Sequence, residues 1–494
     1  MRYRSYKILF ELICLSGMIC QLSCKKYINE TPIDSTNDAN FWTSKASAEQ
    51  AVAGAYLSLR NAVENGNVYW IFNNLTGEEL TTTAWNYATF IPGSPKQYSY
   101  APYIPVGDWS YFYKVVNQCN LILGRVPAMP LGLFDNDSTE RNQYLGEAHF
   151  LRAYAYFYMV RVWGSPVLFN ELLSDPSKAP QLPRSPDDTV LNSCIKDLQV
   201  AVTQLPVTPP GGGPQRAGRY AAYSLLAHIY AWQRDYANAA KACDAVLNAH
   251  AYTLEDMSKY LRIWQGGDPE SIFELNMLYS SGPSEASLTN NNNDVHGIFS
   301  VFLEPPFVNG DAQSGALYTT NPDLINKIYD TTKDKRYKTC FAMSDNGNQL
   351  VIKYTNVQYV SGGDPTQGFY VNNNLVIFRL ADIMLLQAEA QANLGNSPVA
   401  VTLVDSIRHR AGVRDYNAAT DGDLYKFVID ERTRELYAEG SRYYDLIRSG
   451  FLPSEIPVFT SDRMAQKGYL WPIDINTMKQ TDPLLTQNPW WASH

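Results

Sequence analysis

Histidine and cysteine are scarce in this chain of 494 residues, with six His and seven Cys. The histidines stand at 149, 228, 250, 296, 409 and 494. None lies four residues from another around a glutamate, which excludes the zinc-holding helix of metalloproteases. No Gly-x-Ser-x-Gly turn presents a nucleophilic serine. The run from Gly213 to Tyr220 has Arg219-Tyr220 where a phosphate loop needs Lys and Ser/Thr, so it reads as a flexible linker before a helix. Asp345-Asn346-Gly347-Asn348 lacks the ligand alternation and distal glutamate of a calcium loop. The sequence thus offers no cofactor motif and no metal motif. Positive charge is also short: 40 Lys+Arg against 49 Asp+Glu give a net charge of −9. That balance argues against nucleic acid as a partner. Past the N-terminal segment no run of about 18 apolar residues occurs, which excludes a spanning helix. Cys119, Cys194, Cys243 and Cys340 form no CxxC pair and no disulfide framework. Cys119 and Cys243 lie on apolar helical stretches and read as buried small hydrophobes.

What the chain has in excess is aromatic residues: 34 Tyr, 19 Phe and 10 Trp, or 13% of the whole. Hydrophobic residues at 45% and charged residues at 18% exclude a wholly disordered chain. The length corresponds to about three domain-sized units, enough to build a core without staples. So large an aromatic surplus predicts rings at a surface, where flat half-polar groups bind a ligand.

Residues 1–23 read as a targeting segment and stand outside the fold. Arg2, Arg4 and Lys7 precede the short apolar run Leu12 to Ile19, which Glu11 keeps too short to span a membrane. Gln21-Leu22-Ser23-Cys24 places a small residue directly before a cysteine. That arrangement resembles a bacterial lipoprotein cleavage site, with Cys24 as the acylated first residue of the mature chain, 24–494.

Four helical blocks follow. From Glu147 to Val162 apolar residues recur at threes and fours, and Gly164 and Pro166 end the pattern. Ala221 to Asn248 reads as two helices about the turn Arg234-Asp235-Tyr236. Ala227 and Ala239 allow close approach there, with Tyr223 and Tyr230 beside them, as in a tetratricopeptide hairpin. Ile377 to His409 repeats the scheme about Gly395-Asn396-Ser397-Pro398. Leu424 to Ile447 and the residue after it carry Glu431, Arg432, Arg434, Glu435, Glu439, Arg442, Asp445 and Arg448 at threes and fours. With Arg408 and Arg410 these predict a scaffold-locking ion network rather than a ligand site. The fold class expected is all-α, a tetratricopeptide-like helical superhelix with a loop-rich ligand-binding portion. Two loops, about 69–108 and 279–321, exceed the usual ~12–15 residues of a structureless connection. Trp70, Trp85, Asn86, Tyr87, Tyr98, Tyr100 and Tyr103 crowd the first; Phe299, Phe302, Phe307, Asn309, Asp311 and Tyr318 stand in the second. Both are expected to be ordered, ligand-facing excursions. Glu78, Glu79 and Asp108 flank the first loop, and two facing carboxylates would suffice for an all-α glycosidase. No paired carboxylate motif accompanies them, and no catalytic residue is assigned.

Several motifs, in order along the chain, resemble the SusD/RagB family of outer-membrane nutrient-binding lipoproteins. They are Lys26-Tyr27-Ile28-Asn29-Glu30-Thr31-Pro32, Trp109 to Asn120, Leu151-Arg152-Ala153 to Trp163-Gly164, and Ile377 to Ile383 running into Gln387-Ala388-Glu389-Ala390. Ile407 to Gly412, Glu431-Arg432 to Glu439-Gly440-Ser441-Arg442-Tyr443-Tyr444-Asp445-Leu446, and Gln487-Asn488-Pro489 complete the set. The resemblance implies a superhelix of tetratricopeptide-like hairpins. It also implies lipid anchorage on the outer face of the outer membrane and a SusC-like TonB-dependent transporter as partner. An oligosaccharide is the implied cargo, with a peptide as the RagB-like alternative, and no enzyme activity is expected. A sugar ring has an apolar C–H face for Trp or Tyr to stack on and a hydroxyl rim for Asn to bond. The candidate contacts are therefore Trp85, Asn86 and Tyr87 as one wall, with Tyr98, Phe307, Asn309 and Tyr318. A pure interaction module, whose loops touch only the transporter, is the other non-catalytic reading.

Overall fold

The computed structural model describes residues 38–493 apart from 66–67, 83, 85–88, 93, 95–96, 100–106, 174–177, 278–296, 309–314, 360–368, 475–477 and 479–481. Among the described residues ten helices have eight residues or more: α1 Lys45–Glu64, α2 Ser110–Arg125, α3 Ser138–Trp163, α4 Asp187–Gln204, α5 Arg219–Trp232, α6 Tyr236–Leu247, α7 Leu380–Asn393, α8 Ser397–Ala411, α9 Leu424–Glu435 and α10 Arg442–Ser449. Each packs on the next from α1 to α8, and α9 returns to pack on α7. This is the all-α hairpin array that the sequence predicts. No helix among the described residues is long and apolar enough to cross a membrane.

The helices begin and end for local reasons. Asp137 caps α3 by accepting the Thr139 N–H at 2.9 Å, and Gly164 ends it at φ +64°. A side chain at Gly164 would meet Leu470 Cδ1 at 2.6 Å, so the position needs glycine for both conformation and space. The helix starts nine residues before the expected Glu147. Its polar first turns carry no apolar stripe, and only from Gly146 onward is it buried nearly all round. Between α5 and α6 the turn is as predicted: Asp235 accepts the Asn238 N–H at 3.1 Å, while Ala227 and Ala239 are fully buried. Ile377 to Arg379, expected at the head of a helix, instead form the end of a strand. Pairing with a strand a hundred residues earlier overrides their apolar helical spacing.

The strands are short and form four antiparallel ladders: β1 Leu80–Thr81 with β3 Thr319–Thr320, β2 Ser271–Leu275 with β8 Leu375–Arg379, β4 Phe341–Met343 with β5 Gln349–Val351, and β6 Val357–Tyr359 with β7 Phe369–Val371. The first ladder ties the two long aromatic loops together, with Leu80 opposite Thr320. The Trp70 indole N–H adds a bond to the Ile298 carbonyl at 2.7 Å, and Asn321 donates to the carbonyls of Glu79 at 3.0 Å and Glu78 at 2.9 Å. One large core holds most of the apolar side chains, and a smaller one lies between α7, α8 and α9. Cys119, Cys194, Cys243 and Cys340 are all free and buried.

Candidate functional site

The described parts of the two long loops spend most of their rings on the interior. Trp70, Phe299, Phe302 and Tyr318 are each at most 1% exposed, and Tyr69 is 4% exposed. Trp70 sits edge-on to Phe302 at 4.8 Å, and Phe299 stacks on Tyr354 at 5.0 Å. Two of the candidate ligand contacts are corrected by this packing. Tyr98 lies against Phe459 at 4.7 Å and donates its hydroxyl to the Thr76 carbonyl at 2.6 Å. Tyr318 is fully buried, and its backbone N–H bonds the Val301 carbonyl at 2.9 Å. Rings buried to this extent have no face left for a sugar. Phe307 is half-buried, with its backbone N–H on the Glu304 carbonyl at 3.0 Å. Trp85, Asn86, Tyr87 and Asn309 lie outside the described residues, as do Cys24 and residues 1–23.

The flanking carboxylates are each engaged by neighbouring groups. Glu79 is fully buried, accepts from Asn74 Nδ2 at 2.6 Å and the Ala438 N–H at 3.2 Å, and is pushed up to about 8 by desolvation. Glu78 accepts from Gln97 Nε2 at 2.6 Å and is raised by burial. Asp108 accepts the Ser110 N–H at 2.8 Å, two residues on. Among the described residues no group of three or more His, Cys, Asp or Glu could hold a metal ion.

The charged block is a buried ion network, as its spacing predicts. Arg379 reaches Glu270 at 2.7 Å, Glu435 at 2.8 Å and Glu439 at 2.7 Å. Arg410 bonds Glu270 and Glu435, both at 2.5 Å. Arg336 joins Asp334, Glu431 and Glu435 at 2.7 to 3.0 Å, and Arg408 reaches Glu431 at 2.6 Å. Farther along, Arg432 bridges Asp382 at 2.9 Å and Asp445 at 2.8 Å, and Arg448 bridges Glu389 at 2.6 Å. Glu431 is held down at about 2, where the neighbouring guanidiniums outweigh its burial; Glu435 is also held well below the usual carboxylate range by Arg410, Arg379 and Arg336. The partners Glu270, Asp334, Arg336 and Lys353, the last bonded to Glu439 at 2.6 Å, lie outside the helical block, on the loop-rich half. Their distance in sequence hid them, although their charges gave a signal. The network therefore fastens the loop-bearing half to α8 and α9. Other motif residues do similar work: Arg152 binds Asp197 at 2.6 Å and Asn120 at 2.7 Å, and Asn488 donates to the Trp471 carbonyl at 2.7 Å.

A family model described as the SusD family matches residues 328–455, and one described as "Starch-binding associating with outer membrane" matches residues 25–231. The chain belongs to the SusD/RagB family, whose binding proteins are non-catalytic. It is 26% identical to the SusD-like protein P38 of Formosa agariphila over 537 aligned residues, covering 99% of each chain. Over 123 residues, 24% of this chain and 19% of the other, it is 33% identical to the starch-binding protein SusD of Bacteroides thetaiotaomicron. The fold is similar to that of a SusD superfamily protein from Bacteroides thetaiotaomicron, with a TM-score of 0.75, 24% identity, and coverage of 91% of this chain and 99% of that one.

Proposed function

We propose that this protein is a cell-surface lipoprotein, anchored through Cys24 in the outer membrane, that captures an oligosaccharide and passes it unchanged to a SusC-like TonB-dependent transporter. The observation that carries this reading is the match of residues 25–231, beginning directly after Cys24, to a family described as starch-binding and associated with the outer membrane. The protein of Bacteroides thetaiotaomicron that shares a 33% identical segment is named for starch binding. The joining of the two long loops by the β1–β3 ladder supports a single capture site. Trp85, Asn86 and Tyr87 follow β1 by only four to six residues, within about 20 Å of extended chain. Phe307 and Asn309 precede β3 on the loop that the ladder holds beside it. In this reading Trp85 and Tyr87 offer ring faces to the apolar side of a sugar, and Asn86 and Asn309 bond its hydroxyls. No covalent step is involved, so the site needs no tuned acid or base.

Isothermal titration of the purified protein with a panel of polysaccharides tests this directly. At least one glycan is expected to bind, and Trp85→Ala is expected to weaken it by tenfold or more, since stacking on one aromatic ring contributes about 1.5 kcal/mol beyond its buried area. Unchanged affinity would remove Trp85 from the site. Binding of peptides and of no glycan would favour the RagB-like alternative. Co-purification of a TonB-dependent barrel from detergent-solubilised outer membranes tests the partner.

A further inference from the structure

Helices α3, α5 and α10 and strand β8 surround a cavity of about 60 Å³, room for roughly four water-sized groups at ~10–15 Å³ each. Its lining contains five side-chain polar atoms that are buried without a hydrogen-bond partner among the described residues: Asn73 Oδ1, Tyr158 Oη, Arg161 Nε, Ser441 Oγ and Tyr444 Oη. Asn73, Tyr158 and Tyr444 are each no more than 2% exposed. Five orphaned groups around one small space are unusual, because buried polar atoms are nearly always paired.

The charges of the lining point to the kind of ligand. Four guanidiniums line the cavity, those of Arg161, Arg379, Arg432 and Arg448, against the three carboxylates of Asp382, Glu439 and Asp445. The carboxylates are already engaged: Asp382 by His228 and Arg432, Asp445 by Arg432 and Arg448, Glu439 by Arg379 and Lys353. Arg161 alone of the four guanidiniums has no carboxylate partner among the described residues. It is fixed by stacking on Phe157 at 4.5 Å and Tyr444 at 4.3 Å. Its place in the last turn of α3 makes a cation tolerable there, but it does not satisfy the Nε–H.

We propose that this cavity binds a small oxyanion, carboxylate or phosphate. Arg161 Nε–H supplies the charge-assisted bond, and the hydroxyls of Tyr158, Tyr444 and Ser441 donate to the remaining oxygens. The Asn73 amide can present either its oxygen or its nitrogen to the space. Four of the five orphaned groups are donors, and Arg161, the one guanidinium of the four with no carboxylate partner among the described residues, places a positive charge at the wall, which suits an anion better than a neutral ligand. This inference does not depend on the cargo bound by the long loops.

The competing occupant is a cluster of waters, which would satisfy the same atoms without selecting charge. Thermal unfolding in acetate and in inorganic phosphate, each against sodium chloride at equal ionic strength, separates the two. Phosphate stabilises many proteins weakly by exclusion from their surface, so the decisive readout is saturation and its loss in variants. A saturable rise in Tm is expected with at least one of the two anions, and the anion that produces it identifies the class. Arg161→Met is expected to weaken the apparent affinity by about tenfold or more, and Tyr444→Phe, which keeps the ring and removes one donor, by about threefold to tenfold. If Arg161→Met does not fold, Tyr444→Phe carries the test alone. Unsaturable shifts, or shifts identical in wild type and Tyr444→Phe, would overturn the proposal and leave water as the occupant.

Discussion

At the scale of single residues, burial sets what a side chain can do, and Glu79 illustrates it. Its carboxyl is out of contact with water, and among the described residues no cation pairs with it; desolvation raises it to about 8. The unfolded chain releases this proton near 4.5. Between those values the folded state holds a proton that the unfolded state has lost, so stability falls as pH rises from 4.5 through 8 and then levels. Glu79→Gln keeps the shape and removes the titration. Its stability relative to wild type is expected to improve by a few kcal/mol across that window, measured by urea unfolding at pH 5, 7 and 9. A difference that stays constant with pH would show that Glu79 ionises normally. The same logic corrected Tyr98 and Tyr318. Their residue type and their loops were legible in the sequence, but their burial was not, since it comes with tertiary packing, beside Phe459 in one case and Phe302 in the other. An aromatic count measures the supply of rings; only the tertiary fold decides which ones face water.

Among the elements, the hairpins were the most readable feature. Small residues at Ala227 and Ala239, the turn at Asp235, and Pro398 after Gly395 write α5 to α8 into local sequence. Strand β8 was not readable, because its partner β2 lies a hundred residues upstream. The ion network stands between these cases: one side of it follows a helical spacing, while Glu270, Asp334 and Arg336 come from distant segments. Such a network constrains geometry more than it adds net stability, yet removing one partner leaves charges buried without compensation. Arg379→Met is therefore expected to cost about 3–5 kcal/mol, seen as a lowered urea midpoint with an unchanged slope. A cost below about 1 kcal/mol would mean that water reaches the network. Acid acts on the same link. Glu431 titrates near 2 in the fold, so its contribution is complete above about 4.5 and is lost as pH falls toward 2.

For the whole molecule, the arrangement is a helical array that holds two long loops against each other at one ladder. The sequence announced the array and the loops, but not their joining, because hydrogen bonds such as Trp70 to Ile298 cross more than two hundred residues. No described helix can span a bilayer, so membrane residence in the proposed function rests on the acyl chains at Cys24, each buried methylene adding about 0.8 kcal/mol. Two or three such chains hold a protein stably, whereas one gives only marginal binding. Mass spectrometry of the mature N-terminal peptide is expected to find it beginning at Cys24 and heavier by those chains, with Cys24→Ser carrying none. The wild-type protein should then partition into the detergent-rich phase on Triton X-114 separation. An unmodified N-terminal peptide, with the protein in the aqueous phase, would break the link between this array and the membrane and leave contact with a transporter as its only tether.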